Sequence, residues 1–231
     1  MARSLNTVPA RIGYDLAAAD FGDWHWVSFW KANEAPIVRA WLDSLNPGLG
    51  LDAGGGTGAY LRDAYDRGHL SASIDVSLEM LRTEAPLLLS TGGRVLRVQG
   101  DVGTLPFASR CFDWVLCTRV LGHIPKLDSV FREFDRVLKP NGELFISDIH
   151  PAHPYSQTVI RTRQSDICIR TYKHSVPSLR HAISRVPSLR LEQLREYAFG
   201  DLTWKPVSGP FGKLQRRGGS MVFYTCRIHK P

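Results

Sequence analysis

An α/β fold built on a parallel, doubly wound sheet is what three observations predict. Strand-like and helix-like segments alternate from about residue 49 to residue 150. A glycine-rich turn, Gly54 to Gly58, joins the first strand of that run to its first helix, and an acid, Asp75, closes the second strand. Strands that alternate with helices are linked by right-handed crossovers, and such crossovers make neighbouring strands parallel.

Each element follows from its local pattern. Residues 1–46 carry Tyr14 and a cluster of rings, Phe21, Trp24, Trp26, Phe29 and Trp30. Behind them, at 35–45, Ile37, Val38, Trp41, Leu42 and Leu45 repeat at helical spacing until Asn46, Pro47 and Gly48 end the helix. Leu49–Ala53 reads as a strand entering the glycine turn, and 59–67 as a helix that Gly68 closes. Leu70–Asp75 is a second strand. Ser77 caps a helix reaching residue 85, with Glu79 in its first turn and Pro86 as its stop. Further strands are expected at 94–98, 111–118 and 143–148, the last behind a helix over 127–138 and a turn at Lys139-Pro140-Asn141-Gly142. Beyond His150 the alternation lapses. Residues 151–173 read as loop with one or two short strands, Val176-Pro177 opens a helix, and 189–197 and 221–228 are late strands. Between those two, 200–219 is rich in Gly, Pro and basic residues and reads as a surface loop. The pentapeptide Val-Pro-Ser-Leu-Arg occurs at 176–180 and at 186–190, in different expected structures, so it is a coincidence and not a repeat.

Composition narrows the class. A length of 231 residues suits one domain, and 43% hydrophobic with 22% charged residues excludes disorder and fibre. No apolar run reaches the roughly 18 residues a membrane span needs. Residues 1–20 lack a signal peptide's apolar stretch, so a cytoplasmic protein without a membrane partner is expected. Cys111, Cys117, Cys168 and Cys226 contain no C-x-x-C pair, which favours buried reduced thiols over disulfides or a metal site. The net charge of +7 is unevenly placed: residues 151–231 hold 14 Lys and Arg against 4 Asp and Glu, which leaves residues 1–150 negative. Such a basic third suits nucleic acid or an anionic ligand. Arg180, Arg185, Arg190 and Arg195 nevertheless fall five apart and form no single helix stripe, so scattered solvated cations are the favoured reading.

The chemistry concentrates at Leu51-Asp52-Ala53-Gly54-Gly55-Gly56-Thr57-Gly58 and at Asp75. Glycines there let backbone approach a ligand closely, and an acid at the next strand end accepts the hydroxyls of a ribose. Gly54, Gly56 and Ala59 alone also satisfy a dinucleotide fingerprint. Asp52 inside the turn argues against a pyrophosphate and for a cationic ligand with an amino group. Asp101, after the third strand, reaches an exocyclic amine such as adenine's.

With these residues in this order, and with Leu105-Pro106-Phe107, Phe112-Asp113-Trp114-Val115 and Leu138-Lys139-Pro140-Asn141-Gly142 behind them, the sequence resembles the class I S-adenosylmethionine-dependent methyltransferases, strongly over about 49–150 and weakly in the flanks. The resemblance implies a Rossmann-like, seven-stranded sheet with an antiparallel last strand. It implies one domain: a helical cover (1–46), a cofactor-binding core (47–150) and substrate-side elements with the last strands (151–231). S-adenosylmethionine is the implied cofactor and S-adenosylhomocysteine its product. By carry-over Asp52 and the backbone around Ala53 and Gly54 serve the methionine moiety, Asp75 the ribose, and Asp101 with Val102 the adenine; Gly56, Gly58 and Val76 complete the cofactor-binding set, with Met80 over an adenine face and Tyr14 closing on the sulfonium. Gly55 and Arg119 depart from the family pattern, and Arg119 points to the substrate.

Methyl transfer to a hydroxyl or amine benefits from a base. His150, just past strand five, is the first candidate and His123, after strand four, the second. Trp24, Trp26, Trp30, His153 and Tyr155 complete the expected acceptor pocket. The expected function is methyl transfer to O or N of a small aromatic or polycyclic metabolite in small-molecule biosynthesis, by a monomer or homodimer. Three alternatives stand beside it: an RNA-modifying or nucleic-acid-binding protein of the same fold, an NAD-dependent oxidoreductase, and a methyltransferase fold that has lost transfer chemistry. Against nucleic acid, strand four ends in Cys117-Thr118-Arg119-Val120 and lacks the Asn/Asp-Pro-Pro-Tyr motif of base-amine methylases.

Overall fold

A computed structural model describes residues 7–83, 95–154, 157–203 and 220–231. In chain order they form β1 (Thr7–Val8), α1 (Ala10–Ala17), a 3-10 segment (Ala18–Asp23), α2 (His25–Asn33), α3 (Ala35–Asp43), β2 (Leu49–Ala53), α4 (Leu61–Tyr65), β3 (Leu70–Asp75), α5 (Leu78–Arg82), β4 (Val95–Gln99) and β5 (Phe112–Thr118). There follow α6 (Asp128–Val137), β6 (Leu138–Ile149), β7 (Thr158–Arg161), β8 (Asp166–Ile169), α7 (Val176–Ser184), β9 (Arg190–Ala198) and β10 (Met221–Lys230). One sheet of seven strands runs in the order β4-β3-β2-β5-β6-β10-β9, parallel through β6, with β10 antiparallel to both its neighbours. The expected architecture is therefore present. After β4 the chain returns to the other side of β2, so a crevice opens at the carboxyl ends of β2 and β5, where the winding reverses.

Side chains alternate across the sheet because successive residues of a strand point to opposite faces. Val115 and Cys117 of β5 meet Phe131, Phe134 and Val137 of α6, together with Leu179 and Ile183 of α7. Trp114 and Leu116 meet Val38, Trp41 and Leu42 of α3 on the other face. Burying Phe131 and Phe134 completely anchors the first layer, since truncating one such ring costs about 3–5 kcal/mol.

Several elements differ from expectation for local reasons. The helix after the glycine turn covers only Leu61–Tyr65, because the turn uses the residues before it, and Gly68 closes it at φ 81°. Ser77 caps α5 as read, its Oγ accepting the Met80 N–H at 3.1 Å, while residues 84–94 lie outside the described residues. The turn at 139–142 sits inside β6 as an irregularity: Leu138 faces Phe112 and Glu143 faces Trp114, with Asn141 at φ 61°. A second, three-stranded sheet was not foreseen. In it β1 lies parallel to β8 and β8 antiparallel to β7, and α1 crosses β8 so closely that a Cβ on Gly13 would stand 2.5 Å from Ile169.

Some of the basic surplus is neutralised by the acidic two thirds. Lys230 reaches Asp135 at 3.1 Å, Arg185 reaches Asp128 at 3.4 Å and Arg163 reaches Asp20 at 3.1 Å. Most of the 200–219 loop lies outside the described residues, and among the described residues no helix is long and apolar enough to cross a membrane.

Gly50 of β2 has the indole of Trp114 where a Cβ would go, at 2.0 Å. Gly50→Ala is expected to lower stability by at least about 1–3 kcal/mol, the usual cost of overpacking, read as a shifted denaturant midpoint.

Candidate functional site

A cavity of about 1050 Å³ occupies the crevice, roofed by α1, the 3-10 segment and α2. It lies at the upper end of ligand-pocket volumes, roomy enough for two ligands side by side. Its walls divide into a polar half over β2 to β4 and an aromatic half under the roof.

The polar half is organised by Asp75. Oδ2 accepts the Gly56 N–H at 2.9 Å and Oδ1 the Ser77 N–H at 2.8 Å, so one carboxylate fixes both the glycine turn and the start of α5. Burial pushes its pKa up to about 6 against those two donors. Gly54 and Gly56 take φ of 76° and 56°, in the region that favours glycine, and a Cβ on Gly54 would stand 2.2 Å from Val120. Gly54, Gly56, Gly58, Val76, Met80, Asp101 and Val102 all line the cavity, as does Tyr14. Asp52 and Ala53 do not. Asp52 lies beneath the turn, where a Cβ on Gly55 would meet its Oδ2 at 2.9 Å, because strand alternation turns it under the loop. That Oδ2 is buried without a hydrogen-bond partner, and burial first, then the charge of Asp75, pushes the carboxyl up to about 7. These residues fit an adenine nucleoside: a Cβ-free cradle, a strand-end acid for the ribose, and an exposed acid, Asp101, for the base.

In the aromatic half, Trp24 and Trp30 line the cavity with Phe21 and Tyr172. Trp26 does not: it points inward with Phe29, Tyr197 and Phe223, stacked on Trp30 at 5.6 Å. His153 is likewise buried away from the cavity, edge-on to Trp26 at 5.9 Å, and burial pushes its pKa down to about 4. Tyr155 lies outside the described residues.

The two histidines sit in different surroundings. His150 lines the cavity, but its Nδ1 accepts the Ala152 N–H at 3.1 Å and its Nε2 meets Glu196 at 2.7 Å. Both ring nitrogens are therefore engaged, one by a backbone amide and one by a carboxylate. His123 is held differently. Its Nδ1 lies 3.0 Å from the Arg170 carbonyl, which only accepts, so Nδ1 carries the proton. Nε2 then keeps its lone pair and takes the Tyr14 O–H at 2.9 Å. Burial lowers the His123 pKa from 6.5, which keeps the ring neutral.

Sequence reasoning missed Glu34. Fully buried where α2 meets α3, it accepts from the hydroxyls of Tyr60 and Ser147 and pairs with Arg119. Arg119 itself was singled out, but its setting was not. It stands at φ 60°, a conformation costing about 1–3 kcal/mol in a non-glycine residue, with its guanidinium 5.3 Å from the Trp30 ring and 5.9 Å from that of Tyr60. Burial pushes its pKa down to about 10. A glutamate opening an amphipathic helix looks like any solvated first-turn acid, so no signal marks it. Asp15 was also missed: it accepts the Ser77 O–H at 2.6 Å and ties α1 to the nucleoside wall.

Residues 51–146 match the methyltransferase domain family. The chain is 32% identical, over 45% of its length and 45% of the relative, to the ubiquinone/menaquinone biosynthesis C-methyltransferase UbiE of Syntrophotalea carbinolica. To the enzyme of the same name from Nitrobacter hamburgensis it is 28% identical over 76% of the chain and 79% of the relative. The chain thus spans about half the length of the first relative and most of the second. Among solved structures, the 1,6-didemethyltoxoflavin-N1-methyltransferase of Burkholderia thailandensis, with S-adenosylhomocysteine bound, shares the fold at a TM-score of 0.59 and 20% identity, over 99% of this chain and 93% of that one.

Asp52 and Asp75 have folded-state pKa values of about 7 and about 6, raised above the ordinary 3.8. The folded state therefore binds more protons than the unfolded one, and stability falls as pH rises through that window. Without ligand, the melting temperature is expected to drop between about pH 4 and about pH 7, the unfolded and folded values that bound the window. Asp52→Asn should flatten that slope, and an unchanged slope would count against the buried, partnerless carboxyl.

Proposed function

We propose that the chain is a class I S-adenosylmethionine-dependent methyltransferase and that it methylates a small aromatic or polycyclic metabolite bearing an acidic O–H or N–H, a reading supported by the methyltransferase-domain match and the UbiE relatives. One observation carries the proposal: a neutral imidazole, its Nε2 accepting the Tyr14 O–H, lines the same cavity as the glycine turn and the aromatic rings. When bound, the donor supplies a methyl group on a positively charged sulfur that departs as a neutral thioether.

The protein's own part is to align, dry and deprotonate. Asp75, Asp101 and the glycine turn hold the nucleoside, while Trp24, Trp30 and Phe21 hold a flat acceptor against the roof. Alignment of this kind supplies about 7–11 kcal/mol of the barrier reduction. The acceptor's proton passes to the Tyr14 oxygen, whose own proton moves to His123 Nε2, while Arg170 O keeps the ring oriented. Asp148, which accepts the Gly122 and Ile149 N–H groups, lies close enough to favour the imidazolium that results.

Relatives named as carbon methyltransferases support a second reading. In it the same base ionises a phenolic acceptor and the methyl lands on ring carbon. Incubation with labelled donor, followed by locating the label in the product, separates the two.

Asp75→Ala is expected to weaken S-adenosylhomocysteine binding by about a hundredfold in calorimetry, since hydrogen bonds to a charged group are each worth about 1.5–3 kcal/mol. Unchanged affinity would count against the whole reading. His123→Ala is expected to slow turnover by about 10²–10⁴-fold with donor affinity retained, and His150→Ala to cost far less. The acidic limb of the kcat/KM profile should lie below the ordinary histidine value of 6.5, and a limb above it would point to another base.

A further inference from the structure

A second hollow lies beside the cavity. It is an open groove of about 480 Å³ between α7 and residues 125–128, the stretch that follows His123 and Ile124. Ser178, His181, Ala182 and Arg185 face it from α7, a spacing that sets them along one side of a helix. Leu127 and Ala182 are buried and form its apolar floor. His174 belongs to the walls of both hollows, so the groove and the cavity adjoin there.

The groove is positively charged. Lys126 and Arg185 line it with a single acid, Asp128, which Arg185 meets through Nε at 3.4 Å. That leaves the charge of Lys126 uncompensated: among the described residues neither its ammonium nor the His181 ring has a partner. His174 is half satisfied. Its Nε2 lies 2.7 Å from the Ile124 carbonyl, which only accepts, so Nε2 carries the proton and Nδ1 has no partner among the described residues. The start of α7 adds the positive end of a helix dipole but no free donor at Ser178, whose N–H the Ser175 Oγ already takes at 3.2 Å.

These groups select a kind of anion. A carboxylate is best met by the planar fork of a guanidinium, and Arg185 turns part of its fork to Asp128. Lysine offers a compact point charge with three donors, which suits the several oxygens of a phosphoryl group. Size argues for a small molecule over a nucleic acid, which needs a continuous basic track along its backbone. Arg180 shares α7 but does not line the groove, and Arg190 and Arg195 belong to β9.

We propose that this groove is a binding site for a phosphoryl group, carried either by the acceptor or by a separate small metabolite. The inference goes beyond the methyl-transfer reading and does not depend on it.

Calorimetry on the full chain, at constant ionic strength made up with chloride, uses inorganic phosphate as the probe. The unaltered chain is expected to bind it saturably with a Kd of about 1 mM or below. Lys126→Ala combined with His181→Ala, both exposed positions, should weaken that binding by about tenfold or more, with melting temperature and S-adenosylhomocysteine affinity unchanged. Lys126→Arg should keep it within about threefold. Phenylalkyl phosphates of graded length then separate the two carriers. A gain over inorganic phosphate that Trp24→Ala removes assigns the phosphoryl group to the acceptor. No gain at any length assigns it to a separate metabolite, and either result supports the site. Absence of saturable binding in the unaltered chain, or equal binding in the double variant, overturns the proposal. So does duplex RNA that binds with a steep salt dependence and displaces phosphate, which would make the groove part of a nucleic-acid surface. Failure to bind S-adenosylhomocysteine, with phosphate still bound, tells against the methyltransferase reading alone.

Discussion

One carboxylate sets the geometry on which the donor half of the site depends. Asp75 accepts the Gly56 N–H with one oxygen and the Ser77 N–H with the other, so the glycine turn after β2 and the helix start after β3 are held in a single hydrogen-bonded unit. The Ile74 carbonyl, at the end of the same strand β3, accepts the Gly54 and Gly55 N–H groups at 2.7 and 3.1 Å and completes the support. Held by Asp75 and by the Ile74 carbonyl, the turn stays open enough for a ligand to lie across the strand ends. Two acids so close, in so dry a place, are a strained arrangement for the isolated chain. Burial is the main reason both stand above the ordinary carboxyl range, and a neighbouring carboxylate adds to it, Asp75 for Asp52 and Asp15 for Asp75. A positively charged ligand relieves the strain, and the binding preference of the crevice follows from it.

How much of this was legible depends on the range of the interactions. From residue 49 to residue 150 the order of strands and helices could be read closely, because each element is fixed by its own periodicity and caps; Leu49–Ala53 and Leu70–Asp75 have the expected bounds. The small sheet was not legible. Two residues, Thr7 and Val8, carry no alternation, and their strand exists only because β8, some 160 positions later, offers an edge. The ring cluster shows the same limit. Trp24, Trp26 and Trp30 look alike in sequence, yet Trp26 faces Tyr197 and Phe223 while the other two face the cavity.

The histidines make the point chemically. His123 and His150 both follow a strand on the ligand-binding edge, and nothing local separates them. What separates them are distant partners: Glu196 and a neighbouring amide on His150, Arg170 O and Tyr14 on His123. Glu34 and Arg119 were equally opaque, since 85 residues separate them and only the closed fold brings them together.

The roof has a consequence for how such a protein diversifies. Its donor half is built from the turns of the sheet, whose positions the whole core constrains. Much of the other half is built from Phe21, Trp24, Val27 and Trp30, on a segment fastened by Asp20 to Arg163 at one end and by Glu34 to Tyr60 and Ser147 at the other. Replacing a ring between those fastenings reshapes one chamber and leaves its neighbour untouched. Lineages that share the engine can thus acquire different tastes through the first thirty residues, without retuning the machinery that all of them need.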